Sequence, residues 1–252
     1  MNSPVRLGTR ATAVLAVALA GCQAPAANGP TAAAPTATQA AVVATTQPTA
    51  SPGPARPPTL PPETSNLAAG TYTLDPSLSM TIEVPGGWDT CCGGVILKND
   101  FAGLLYWGDA RGITVYADPC LWTSGAQSKP EGAQAIAAAL AGQKNREASK
   151  ARAATVGALP AIVVRLKVPL GQPVTTDAHG DNTFTGCDDG QLRSFTVGPE
   201  GERYHQAPGQ IDDFYVLDVG GTTVIFDVVS GPDIPAADMA NLEAMLASVE
   251  IG

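Results

Sequence analysis

The chain has 252 residues, of which 44% are hydrophobic and 15% charged, with a formal net charge of −9. That length holds one domain with a sizeable core beside non-globular segments. The acidic balance excludes a protein that works by neutralising nucleic acid or by lying on an anionic lipid surface.

The first element in chain order is a leader. Arg6 and Arg10 precede an apolar run from Ala11 to Ala20. About ten residues are too few for a membrane-spanning helix, which needs roughly 20; a short apolar run behind basic residues and before small ones has the form of a secretory signal. The run closes in Leu19-Ala20-Gly21-Cys22, which resembles the lipobox of bacterial lipoproteins. The resemblance implies that residues 1–21 are a signal peptide, cut off between Gly21 and Cys22. It also implies a diacylglyceryl thioether on Cys22, often with a palmitate-type acyl group on its amine. Each buried acyl carbon contributes about 0.8 kcal/mol, so two or three chains anchor the protein to the cell membrane on its extracytoplasmic face.

Residues 22–66 follow as a tether of Ala, Thr, Pro and Gln in which Arg56 and Glu63 are the only ionised side chains. With no aromatic residue to nucleate a core, the segment cannot offset its ordering entropy and is expected to be disordered. Proline biases it toward extended geometry with a reach of at most on the order of 130 Å.

Residues 67–252 make a single ectodomain with 11 Lys and Arg against 22 Asp and Glu. Short strands are predicted at 71–74 and 79–84, followed by the turn Pro85-Gly86-Gly87-Trp88 and a loop over 89–94. Further strands fall at 95–97, 104–107 and 112–117, the last stopped by Asp118-Pro119-Cys120. Ser128 and Glu131 have the spacing of a capping box, and Ala133, Ile136, Ala137 and Leu140 then share one helical face. The basic run Lys144, Arg146, Lys150 and Arg152 reads as the solvated end of that helix and its loop. Strands follow at 154–156 and 161–168, a loop over 169–189, and strands at 192–197, 214–219 and 222–229. Gly220-Gly221 forms the tight hairpin turn between the last two. Pro235 opens a closing helix striped by Met239, Leu242, Met245, Leu246 and Val249. Strands on either side of one helix, with a second helix last, describe an α+β fold. The expectation is an antiparallel sheet of about six to eight strands with both helices packed on it.

Several segments together carry a resemblance: Val-Pro-Gly-Gly-Trp at 84–88, Val-Tyr-Ala-Asp-Pro-Cys-Leu-Trp at 115–122, Val-Leu-Asp-Val-Gly-Gly-Thr-Thr-Val-Ile at 216–225, and the closing helix. The set is similar to uncharacterised exported proteins of high-GC bacteria. In outline it resembles the PsbP-like fold of photosystem extrinsic subunits and of LpqN-type mycobacterial lipoproteins. The resemblance implies a binding or scaffolding role and assigns no functional residue.

Besides Cys22, the cysteines are Cys91, Cys92, Cys120 and Cys187. An exported domain permits disulfides. The favoured bridge is Cys120–Cys187, leaving Cys91 and Cys92 as a vicinal pair; the alternative joins Cys91 and Cys92 separately to Cys120 and Cys187. No helix N-terminus or basic group points to a reactive thiol among them.

The chemistry-bearing motifs are few. There is no G-x-S-x-G elbow, no phosphate loop and no H-E-x-x-H helix. Only His179 and His205 offer near-neutral bases, and no pointer to a Ser–His–acid site exists. Asp177, Asp181, Asp188 and Asp189 supply hard oxygens that suit Ca²⁺, against the simpler reading of a polar turn. Asp212 and Asp213 alternate faces if extended and make a poor carboxylate pair. Trp88, Trp107, Trp122 and Tyr116 read as core or disulfide-packing aromatics rather than a sugar platform. No cofactor is expected. The preferred function is a non-enzymatic ectodomain that binds an envelope protein or small ligand, with no nucleic acid. The alternatives are an envelope hydrolase acting on wall sugars or esters, and a Ca²⁺-stabilised structural module.

Overall fold

The computed structural model describes residues 56–98, 102–176, 182–198 and 201–252. Among them, in chain order, lie β1 (Thr64–Leu67), β2 (Gly70–Asp75), β3 (Met80–Val84), β4 (Trp88–Cys91), β5 (Val95–Lys98), β6 (Ala102–Trp107), β7 (Thr114–Tyr116) and β8 (Gln127–Ser128). Helix α1 (Gly132–Ala141) is followed by β9 (Glu147–Ala148), β10 (Arg152–Val156), β11 (Leu159–Lys167), β12 (Val174–Thr176) and β13 (Asn182–Phe184). The chain continues through β14 (Leu192–Val197), β15 (Gly201–His205), β16 (Ile211–Val219), β17 (Thr222–Ser230), α2 (Ala236–Ala247) and β18 (Glu250–Ile251). All strand pairs are antiparallel, and the fold is α+β.

The organising element is a nine-stranded sheet in the order β1-β4-β5-β6-β17-β16-β11-β10, with β9 pairing β11. This is larger than the six to eight strands expected, because β1, β4 and β9 are short segments without a period-2 signal of their own. At its centre β16 and β17 form a hairpin closed by Gly220 and Gly221 at φ +55° and +84°. Two successive positive φ values are what a two-residue type I′ turn requires and what glycine adopts without a Cβ penalty.

Strand β17 is buried along nearly its whole length because both sheet faces are covered. On one face Val224, Phe226 and Val228 join Leu104, the β3 residues Met80 and Ile82, and Leu242 and Met245 of α2. On the other, Ile225, Phe214 and Val216 meet Ile136, Ala137 and Leu140 of α1, with Val115 and Phe195 from a second, four-stranded sheet ordered β15-β14-β7-β8. The two helices therefore cover opposite faces of the sheet. A three-stranded sheet, β18-β3-β2, closes the first face.

Several local expectations are corrected. Ser128 does not cap α1: it lies in β8 and its hydroxyl meets the Val115 carbonyl, while Glu131 is the N-cap with no side-chain bond. Strand pairing with β7 claims Ser128 first. The loop over 169–189 contains the hairpin strands β12 and β13. The first half of the loop over 89–94 belongs to β4, whose Thr90 and Cys91 pair with Ile96 and Val95. The fold also takes in part of the stretch that composition assigns to the tether: Leu60 is buried in the core, Thr59 bridges Thr73, and β1 pairs β4. An apolar side chain among prolines suffices there, since an edge position does not need every backbone N–H. Cys120 and Cys187 form a disulfide with Cα atoms 4.4 Å apart, packed beside Val168, Phe184 and Leu192.

Candidate functional site

Two adjoining features on the α1 face of the large sheet hold most of its unusual chemistry: a buried polar cluster and an open groove.

The cluster is centred on Asp212. Alternation along β16 turns Asp212 inward beside Phe214 and Val216 and sends Asp213 to the opposite face, where Arg165 clamps it at 2.8 and 2.6 Å. Asp212 is fully buried and both of its oxygens are saturated. One accepts from Gln210 Nε2 at 2.8 Å and from Arg203 Nη2; the other accepts from Arg146 Nη2 at 2.7 Å and lies 3.1 Å from His205 Nδ1. Arg203 also donates through Nε to Asp227 Oδ2 at 2.5 Å. Arg203 and His205 reach the same side because they stand two residues apart on β15. Ser194 arrives by a β-bulge: β14 pairs Arg193 with Tyr204 and Phe195 with Arg203, leaving Ser194 as the extra residue, aimed inward with Phe195. The basic run after α1 is thus not solvated throughout. Arg146 is buried, and Gln143 is held by the carbonyls of Tyr116 and Ser194 at 3.0 and 2.7 Å.

Ser194, His205 and Asp212 reproduce the connectivity of a hydrolase triad, with Ser194 Oγ 2.7 Å from His205 Nε2. Their surroundings remove the chemistry. Arg146 Nη1 lies 2.7 Å from the same Nε2, and a guanidinium can only donate. The imidazole therefore accepts at Nε2 and carries its proton on Nδ1, toward Asp212. Burial and then the Arg146 charge pull His205 down to about 3, so it resists the imidazolium that general-base catalysis needs. Ser194 is fully buried, and its hydroxyl has Gln143 Oε1 at 3.1 Å as an acceptor. No substrate reaches the hydroxyl in this arrangement.

The two carboxylates of the cluster differ. Burial would raise Asp212, but the His205 N–H and the two guanidiniums outweigh it and hold the carboxyl well below the usual carboxylate range. Asp227 has one oxygen without a partner among the described residues. Burial pushes it up to about 8 against the pull of Arg203.

The groove, about 560 Å³, opens where the second sheet ends over the first. Its floor is the inward face of β5, β6 and β17: Val95, Leu97, Leu105, Trp107 and Val229. Its wall is β15, whose residues 201–204 all line it. Among the described residues β15 pairs only with β14, so its second backbone edge is unpaired. Glu202 and the half-exposed Tyr204 alternate with the inward Arg203 and His205. Cys91 and Cys92 stand at one end.

The remaining sequence candidates fall elsewhere. Asp188 accepts from the Thr123 amide and hydroxyl at 2.8 and 2.5 Å, beside the disulfide; these hydrogen bonds lower its carboxyl. Asp189 sits in the adjoining 3₁₀ turn at φ +49°. Asp177, Asp181 and His179 lie outside the described residues. Among the described residues no three His, Cys, Asp or Glu side chains converge as a metal site would require. Trp88 is fully buried core, Trp107 packs edge-on against Phe195, and Trp122 carries the Arg193 guanidinium 3.8 Å above its ring.

No protein-family profile matches the chain, and no curated protein matches it significantly. Among solved structures it is similar to the solution structure of cyanobacterial PsbP (CyanoP) from Synechocystis sp. PCC 6803. The identity is 14%, the TM-score 0.33, and the match covers 74% of this chain and 94% of that one. PsbP is one of the groups whose outline the sequence segments resemble; at this level of similarity nothing about activity or partners carries over.

The cluster yields two measurable consequences. Between the ordinary Asp value and about 8 the unfolded chain has lost the Asp227 proton that the native chain keeps. Stability therefore falls as pH rises through that interval, on the order of 1 kcal/mol per pH unit. Below about pH 6.5 His205 acts in the other direction, because the unfolded histidine takes up a proton that the buried one refuses. The Asp227 slope thus stands alone from about pH 6.5 to 8. Asp227→Asn is expected to flatten the melting temperature over that range, and an unchanged slope would contradict the assignment. Ser194→Ala removes one buried hydroxyl and is expected to cost about 1 kcal/mol with no change in the background rate on ester substrates. Wild-type turnover that disappears in the variant would establish a hydrolase instead.

Proposed function

We propose that this chain is a lipid-anchored binding protein of the extracytoplasmic membrane face. In this reading Cys22 is the anchor, and the ectodomain binds an extended segment of a partner polypeptide in the β15 groove without chemistry on it. The observation that carries the reading is the open edge of β15 above an apolar floor. Neighbouring strands lie about 4.8 Å apart, so a peptide added to that edge would run directly over β5 and β6. Its alternate side chains would meet Leu97, Leu105 and Trp107, while its backbone would pair with β15. Backbone hydrogen bonds supply affinity and the floor supplies selection in this mode. The volume lies within the range of ordinary binding clefts.

The anchor rests on the lipobox resemblance. No helix among the described residues is long and apolar enough to cross a membrane. Metabolic labelling with palmitate is expected to mark the wild-type chain and not Cys22→Ser, which should leave the membrane fraction; labelling of the variant would overturn the anchor.

The groove is tested with the full chain and a library of seven-residue peptides whose apolar side chains alternate. Binding peptides are expected to slow hydrogen exchange of β15 amides. Leu105→Glu, shown to be folded by an intact melting transition, should weaken binding at least about tenfold, the equivalent of 1.4 kcal/mol. Peptides that leave β15 exchange unchanged, or a groove that takes only small apolar molecules, would contradict strand addition.

A further inference from the structure

The β4–β5 turn carries two thiols that are not bridged. Cys91 pairs with Val95 at the end of the ladder, and Cys92, Gly93 and Gly94 make the turn. Cys92 is exposed and Cys91 half-buried. Cys92 holds φ at +57°, a region that costs an L-residue roughly 1–2 kcal/mol and that glycine, the next residue here, occupies freely. The turn presents the Cys92 thiol to solvent, one residue from the half-buried Cys91 thiol. The contrast with Cys120–Cys187 is plain: that bridge packs beside Val168, Phe184 and Leu192 as part of a core cluster, whereas the vicinal pair borders the groove.

We propose that Cys91 and Cys92 are a redox-active vicinal pair, closed to a disulfide and reopened by exchange with disulfide- and thiol-bearing molecules. The Cys92 thiolate attacks one sulfur of a disulfide R–S–S–R. That S–S bond breaks, a mixed disulfide forms on Cys92, and the first R–S⁻ leaves and takes up a proton. The Cys91 thiolate then attacks the Cys92 sulfur and expels the second R–S⁻, which is protonated in turn. Two protein thiols are oxidised and one disulfide is reduced to two thiols. The order follows from exposure, since Cys92 meets the reagent first. Burial raises the Cys91 thiol above the ordinary cysteine value, which makes ring closure the slow step.

Adjacent Cα atoms are about 3.8 Å apart across a trans peptide, below the roughly 4.4–6.8 Å that relaxed disulfides span. The closed ring is therefore strained and more easily reduced than Cys120–Cys187, as cycling requires. The inference does not depend on what fills the groove.

The test uses the full chain, mildly reduced so that Cys120–Cys187 stays closed, then titrated with oxidised glutathione and followed by peptide mass spectrometry. The expected result is loss of two hydrogens confined to the peptide containing Cys91 and Cys92, preceded by a transient glutathione adduct. The ring should reopen at dithiothreitol concentrations at least about tenfold below those that open Cys120–Cys187. Cys91→Ser, folded by its melting transition, should retain the adduct on Cys92. A persistent adduct on the wild type, absence of reaction, or a ring as resistant to reduction as Cys120–Cys187 would overturn the proposal.

Discussion

The structure turns on one buried carboxylate. Asp212 lies in the large sheet, yet its partners come from three other places: Arg146 beyond α1, Arg203 and His205 from the edge of the second sheet, and Gln210 from the loop before β16. Taking two guanidiniums and a carboxylate out of water costs several kcal/mol per ion, so such a cluster adds little to net stability even when its geometry is good. Its consequence is geometric. The second sheet and the end of α1 must sit where their donors meet Asp212, because any other placement strands a buried charge. We read the cluster as the device that fixes how the α1 layer docks.

That docking produces the groove. Arg203 belongs to both features: its guanidinium is held by Asp212 and Asp227, while its residue forms part of the wall. With Arg203 pinned, β15 stands with one edge paired and, among the described residues, the other open above β5 and β6. The open edge is thus a result of the buried charges, and an edge left unpaired over apolar surface is one that natural proteins usually cover or blunt.

The hairpin around Gly220 and Gly221, the long β11 and the stripe of α2 were legible in the sequence because each repeats a local pattern. The alternation of Asp212 and Asp213 was legible only for an extended segment, because the predicted strand begins at Phe214 whereas β16 begins at Ile211. The cluster was not. Arg146 stands in a basic run that ordinarily marks a solvated surface, and its carboxylate partner lies 66 residues away. Ser194 turns inward only through a bulge, which has no local sequence mark. Strand β15, Gly-Glu-Arg-Tyr-His, is short and polar because its inward residues meet charges rather than hydrocarbon. β4 hides behind a Pro-Gly-Gly turn, and the Ser128–Glu131 spacing misleads because β7 claims Ser128. The sequence thus shows elements that follow a period and conceals those that follow a partner.

The measurement that bears most directly on this account is the ring-nitrogen NMR spectrum of His205 in the folded chain as pH is lowered from about 8 to about 5, across the ordinary histidine range, with the only other histidine, His179, assigned by substitution. A neutral imidazole protonated on Nδ1 throughout is the predicted result, because Arg146 occupies Nε2 and Asp212 holds the Nδ1 proton. An imidazolium appearing near pH 6.5 would contradict it, showing that the histidine is reached by water and that the charge cluster does not lock the layers together.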